Sequence, residues 1–355
     1  MQSAGEQQSV HGRRSLGALA VLLCALASPV LSADFAGGGF ALFGSAGQLS
    51  TVEQQRLSRG GTVVRTVDRD DAELGVFAAT RFAGTASGLV RWTRAITELK
   101  RAPGVRAVGR FSGVPTLRDL DGLVVDDDDL QALRRCVPGD CALKLDAAAM
   151  TAARAAITDA GDGWRGAATR AFKDILLARV RQHQEGGLAG LPPVADKAVP
   201  IHAAETFRGL MAGVEPIAVV PGLSGVFGLQ APVSGRRDIE SFYYWSKERF
   251  DAGKDVVSVT YVVMTTTGAS SGISAVVLSQ QIFASHYVNG AIGMTAVLQD
   301  SATGQRFLAY LNRSSVDLFT GPFRLFRRAA EQRIERQVPV LLRQLRERLE
   351  QPPPS

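Results

Sequence analysis

Reactive and metal-binding side chains are scarce in this sequence. Across 355 residues it has three cysteines, four histidines, three tryptophans and five methionines. That leaves little material for a metal centre. Long apolar runs are lacking too: none reaches the roughly 20 residues that a spanning helix requires, which excludes a multi-span membrane protein. Composition also excludes collagen and solenoid arrays. Charge of one sign is not in strong excess. There are 40 Lys and Arg against 34 Asp and Glu, and the net +6 does not indicate nucleic acid. What the chain does have is apolar material, 46% against 21% charged, enough for one elaborated domain or two ordinary ones.

The first segment reads as an address. His11-Gly12-Arg13-Arg14 precedes an apolar run from Leu16 to Ala27, then Ser28-Pro29-Val30-Leu31-Ser32-Ala33. A basic start, about a dozen apolar residues and a small-residue exit predict a secretory signal over 1–33, hence a periplasmic or secreted bacterial product. Only Leu16 follows the paired arginines as a twin-arginine signal requires, so general export fits better. Losing Arg13, Arg14 and Glu6 leaves a net +5. Cys136 and Cys141 remain, enclosing Val-Pro-Gly-Asp. An even pair around such a turn in an exported chain predicts a structural disulfide over a redox pair or half a zinc site.

Residues 34–60 read as a mobile Gly/Ala/Phe-rich lead-in and a short helix opened by a Ser50/Glu53 capping box. Gly37-Gly38-Gly39 is not followed by Lys-Ser/Thr, so no phosphate loop and no cofactor is indicated. Strands are expected at Thr62–Val67 and Glu73–Phe82, then a helix along Leu89, Trp92, Ile96 and Leu99. A helical insertion over about 116–236 follows, with helices near 129–135, 147–158, 164–184 and 203–211. After Arg237 come strands at 241–245, 256–264 and 273–287, a turn at Asn289-Gly290, and strands at 291–298 and 305–311. A closing helix, 322–350, carries Phe323, Phe326, Ala330, Ile334, Val338, Leu341, Leu345 and Leu349 as a continuous apolar stripe. Residues 351–355 read as a disordered tail.

This order predicts an α+β fold, a curved antiparallel sheet gripping a long C-terminal helix. Over Thr62–Leu99 and Arg237–Glu350 it resembles the START-like (polyketide cyclase and Bet v 1-like) superfamily. The resemblance implies a domain over 61–350 with an apolar cavity between sheet and helix. Tyr244-Trp245-Ser246-Lys247, Ala284-Ser285-His286-Tyr287 and Tyr310-Leu311-Asn312-Arg313-Ser314 also look like stretches of uncharacterised exported bacterial proteins.

Sharper motifs carry less. Gly268-Ala269-Ser270-Ser271-Gly272 matches a hydrolase elbow, but a strand follows it where a helix is required. Asp119 to Asp129 resembles a calcium loop, yet Leu117 occupies the first ligand position; an acidic turn with Asp129 capping the next helix explains it. His183 with Glu185, and His202 with Glu205, read as surface residues at helix ends. His286 differs: alternation along its strand places it on the inner face with Ile282 and Ala284, where an imidazole can anchor a ligand or act as acid/base. His286, Tyr244, Trp245 and Asn312 are therefore the expected ligand-binding residues. The expected function is binding of a hydrophobic small molecule or lipid. The alternatives are a cavity enzyme using His286, or a structural envelope protein without a ligand. The arginine face of the closing helix offers contact with a membrane surface; sparse aromatic interleaving disfavours nucleic acid.

Overall fold

Among the described residues eight strands form where β-branched and aromatic residues concentrate: β1 (Thr62–Thr66), β2 (Glu73–Arg81), β3 (Val105–Arg110), β4 (Ile239–Arg249), β5 (Asp255–Thr266), β6 (Ile273–Ala284), β7 (Val288–Gln299) and β8 (Arg306–Val316). In this computed structural model they make one antiparallel sheet in the order β1-β2-β8-β7-β6-β5-β4-β3. The structure describes residues 38–67, 73–212, 214, 220, 223, 228–232, 238–249, 253–267, 272–317 and 327–352, without the side chains of 327–331, 333 and 334. All described residues belong to one unit, Ala33–Ser355. The expected signal over 1–33, Phe323 and Phe326 lie outside the described residues.

The helices are α1 (Thr51–Ser58), α2 (Ala86–Arg94), α3 (Ile96–Leu99), α4 (Asp127–Arg135), α5 (Ala147–Asp159), α6 (Trp164–Gly186), α7 (Ala203–Met211) and α8 (Arg327–Glu350). The Ser50/Glu53 box forms as its spacing predicts, with Glu53 N donating to Ser50 Oγ and Ser50 N donating to Glu53 Oε2. Asp146 caps α5 by accepting from Ala149 N at 2.8 Å.

Both faces of the sheet are covered. Tyr261 and Val263 belong to the core shared with α4–α7, whereas Val262 and Met264 belong to a second core with α2, α3 and α8. The period-2 alternation of β5 thus serves two cores, and its whole length up to Thr265 is buried. An antiparallel sheet often leaves one face to water. Here the insertion occupies one face while α8, packed on β1, β2 and α2, helps to cover the other.

Four local expectations are corrected. The segment 39–47 forms 3-10 turns whose Phe40, Leu42 and Phe43 are buried, so packing against Phe77 and Phe307 fixes what composition alone suggests is a lead-in. β3 was not expected: it is short, contains Gly109, and makes an edge strand beside β4. The β6–β7 turn falls at 285–287, where Tyr287 takes a φ of 63°; Asn289 and Gly290 lie inside β7. On α8, Leu342 and Leu349 are buried with Val338 and Leu345 packed beside them, while Leu341 is 55% exposed. Val340-Leu341-Leu342 offers two overlapping stripes, and 338/342/345/349 is the one that meets the sheet.

Candidate functional site

On the α8 side, β4–β8 and the helices α2, α3 and α8 line a half-open cavity of about 330 Å3. Its floor is the sheet. Cross-strand register sets Thr260 beside Gln281, lines up Ser279, Gly293 and Asn312, and sets Thr295 beside Tyr310. Gly293 matters here, because a Cβ at that position would lie 2.4 Å from Ser279 Oγ. The helices supply an apolar roof, chiefly Leu89, Ile96, Leu99, Leu345 and Leu349. Thr93 also lines the cavity, but its hydroxyl donates to Leu89 O within its own helix.

The roof is fastened at the end of α8. Arg348 Nη1 donates to Leu99 O at 2.7 Å and Arg101 O at 2.8 Å, Trp92 Nε1 donates to Gln351 O at 3.0 Å, and Ala83 N donates to Glu350 Oε1 at 2.8 Å.

One ion pair lies in the lining. Lys100 Nζ is 2.7 Å from Glu248 Oε1, which also accepts from Ser246 Oγ at 2.6 Å, and the ammonium stands 5.9 Å from the centre of the Tyr244 ring. Burial works against charge on Lys100, but the acidic groups Tyr244, Glu248 and Tyr310 outweigh it and raise its pKa. Burial likewise opposes ionisation of Glu248, yet Lys100 and the Ser246 hydroxyl hold its pKa below the usual range. Burial pushes the Tyr310 phenol up to about 12 against the pull of Lys100.

Of the four residues expected to bind a ligand, Tyr244 and Asn312 line this cavity. Trp245 and His286 do not. Trp245 follows Tyr244 on β4 and so points through the sheet, where Nε1 donates to Asp119 O at 2.7 Å and the indole lies over Gly109. His286 comes after a bulge: Gln281 pairs with Thr260 but Phe283 with Val259, leaving Ile282 and Phe283 in the same core, the one shared with the insertion. His286 Nε2 donates to Asp129 Oδ1 at 2.9 Å, both buried. Asp129 therefore does not cap α4, which follows Asp126.

His183 is not a surface residue either. It is buried on α6, its Nδ1 2.8 Å from Tyr243 OH and its ring against Tyr261, and burial pushes its pKa down to about 4. Sequence reasoning missed Lys100, Glu248, Thr260, Ser279, Gln281 and Thr295. Alternation along β5 and β6, with polar residues at Ser258, Thr260, Ser279 and Gln281, was the signal that could have found most of them.

In the acidic stretch read as a calcium-like loop, three carboxylates are occupied within the protein. Asp119 accepts from Thr116 N, Asp126 from Lys247 Nζ, and Asp127 from Arg165 Nε. Among the described residues no group of three or more His, Cys, Asp or Glu could hold a metal ion. An open groove of about 600 Å3 runs between α5 and α6, lined mostly by alanine methyls. Its charged groups pair with each other, Arg170 with Asp174 and Arg179 with Asp146, so it lacks the convergent free polar groups of the cavity under α8. Cys136 and Cys141 are joined in a disulfide. Among the described residues no helix is long and apolar enough to cross a membrane.

Compared with known proteins, the chain matches no family model, and no curated protein is significantly similar to it.

Proposed function

We propose that this chain is an exported binding protein that holds a small molecule or lipid with substantial apolar surface between the sheet and α2, α3 and α8. The observation that carries the reading is the cavity itself: about 330 Å3, within the range of small-molecule sites, with an apolar roof and polar groups converging from four strands. The likeness of element order to START-like proteins agrees with a sheet that grips α8 around a ligand. The disulfide supports an oxidising compartment.

Binding is favoured over acid–base catalysis by the lining. Lys100 is raised, Glu248 is lowered and Tyr310 is pushed up to about 12, so none of the three exchanges its proton readily near neutral pH. His286, the expected acid/base, lies in the other core. The exposed side of α8, with Arg336, Val340, Leu341 and Arg343, is the part expected to meet a membrane surface during loading or release.

Native mass spectrometry of protein purified from its source tests the reading. The expected spectrum shows an added mass that is released on denaturation and absent from Gly293→Leu, which would fill the floor. A spectrum of polypeptide alone, together with no uptake of any amphipathic probe, would remove the proposal.

A further inference from the structure

The cavity is divided by chemistry from face to face, and this sets the kind of molecule it suits. Its helical roof is aliphatic, from Leu89, Ile96, Leu99, Leu345 and Leu349. Its sheet floor carries Thr260 on β5, Ser279 and Gln281 on β6, and Thr295 on β7. With Asn312 on β8 the polar floor crosses four neighbouring strands, about 14 Å at the usual strand spacing. Among the described residues none hydrogen-bonds to the side chains of Thr260, Ser279, Gln281 or Thr295, and their polar atoms are not sealed from solvent. A polar group inside a protein without a partner is costly unless water or a ligand satisfies it. Four such groups on one floor are a built set of donors and acceptors.

The charge of the ligand follows from the ion pair in the lining. Lys100 is 2.7 Å from Glu248, so its charge is balanced within the cavity. A second carboxylate or phosphate approaching Lys100 would meet the Glu248 carboxylate as well, and an incoming cation would meet the ammonium. The nearby Arg348 is committed to the carbonyls of Leu99 and Arg101.

We infer that the ligand of this cavity is an uncharged amphiphile, with several hydroxyl or carbonyl groups on the side that faces the sheet and an apolar side that faces α2, α3 and α8. This inference rests on the binding reading above and sharpens it, from an apolar ligand to a neutral, hydroxyl-bearing one.

Calorimetry of the mature chain with three probes tests it: hexyl glucoside below its micelle concentration, hexanoate, and naphthalene. If two or more floor groups engage the sugar hydroxyls, hexyl glucoside binds about tenfold more tightly than either of the others. Thr260→Val combined with Ser279→Ala keeps the floor's shape, and an unchanged melting temperature shows that it folds. In that variant the glucoside's advantage should vanish while naphthalene binds as well or better. Lys100→Met should leave the order of the neutral probes unchanged. Tighter binding of hexanoate or naphthalene than of the glucoside overturns the inference and leaves the binding reading standing, as does a double variant that keeps the glucoside preference. If none of the three probes binds, the binding reading falls and the inference falls with it.

Discussion

His183 shows what burial does to an ionisable side chain that the sequence places at a polar helix end. Its neutral ring sits among Tyr243 and Tyr261, and its pKa falls to about 4 from 6.5. Between those values the unfolded chain takes up a proton that the folded chain refuses, so stability is full above pH 6.5 and declines as pH falls towards 4. The loss amounts to about 3 kcal/mol from this residue alone. Urea midpoints measured from pH 7 to pH 4 should drop steeply, and those of His183→Gln should drop less; parallel curves would assign the acid sensitivity elsewhere. Arg313 poses the opposite case. It is buried with Glu73, to which it donates through two nitrogens, and it also donates to Ala212 O at 2.9 Å. Arg313→Met strands a buried carboxylate and should cost about 3–5 kcal/mol by chemical denaturation, with Glu73→Gln added to it recovering part of the loss.

Elements were more legible than faces. The helix and strand segments follow from capping residues, periodicity and Gly/Pro breaks, and most boundaries fall within a few residues of those expected. Which side of the sheet a residue meets was harder to read, because both faces of β5 are buried and hydrophobicity no longer distinguishes in from out. His286 went to the wrong side for that reason: Ile282, the residue it alternates with, faces the core shared with the insertion, while Gln281 faces the cavity. The offset on α8 has the same origin in Val340-Leu341-Leu342. It gives a sharp test: Leu342→Ala and Leu349→Ala should each cost about 2–5 kcal/mol, whereas Leu341→Ala should stay within about 0.5 kcal/mol. Thermal melts of the Leu342 and Leu341 variants decide between the stripes, since Leu349 belongs to both. The disulfide between α4 and α5 closes a small loop; both cysteines should resist alkylation until reduced, and Cys141→Ser should cost only about 2 kcal/mol.

At the scale of the molecule, the α+β class and the helical insertion were readable from the order of elements. The three-layer arrangement was not, since nothing local states that an insertion returns to cover the second face. The polar floor was legible in part, from the alternating polar residues of β5 and β6, but not which of the two covered faces they meet. Export remains testable on the intact chain. The mature protein should begin near Asp34 and fractionate outside the cytoplasm; N-terminal sequencing that finds Met1 on a cytoplasmic species would end that expectation.

The sheet order also has a consequence in time. β2 lies between β1 and β8, and its Glu73 meets an arginine 240 residues later in the chain. A ribosome must therefore deliver nearly the whole polypeptide before the N-terminal hairpin finds its neighbour, and a contact of such sequence separation forms slowly. During that interval the early strands have no completed sheet to join. The pairing of β2 with β8 is thus the step of the sheet that waits longest on synthesis, with α8 still to come after it.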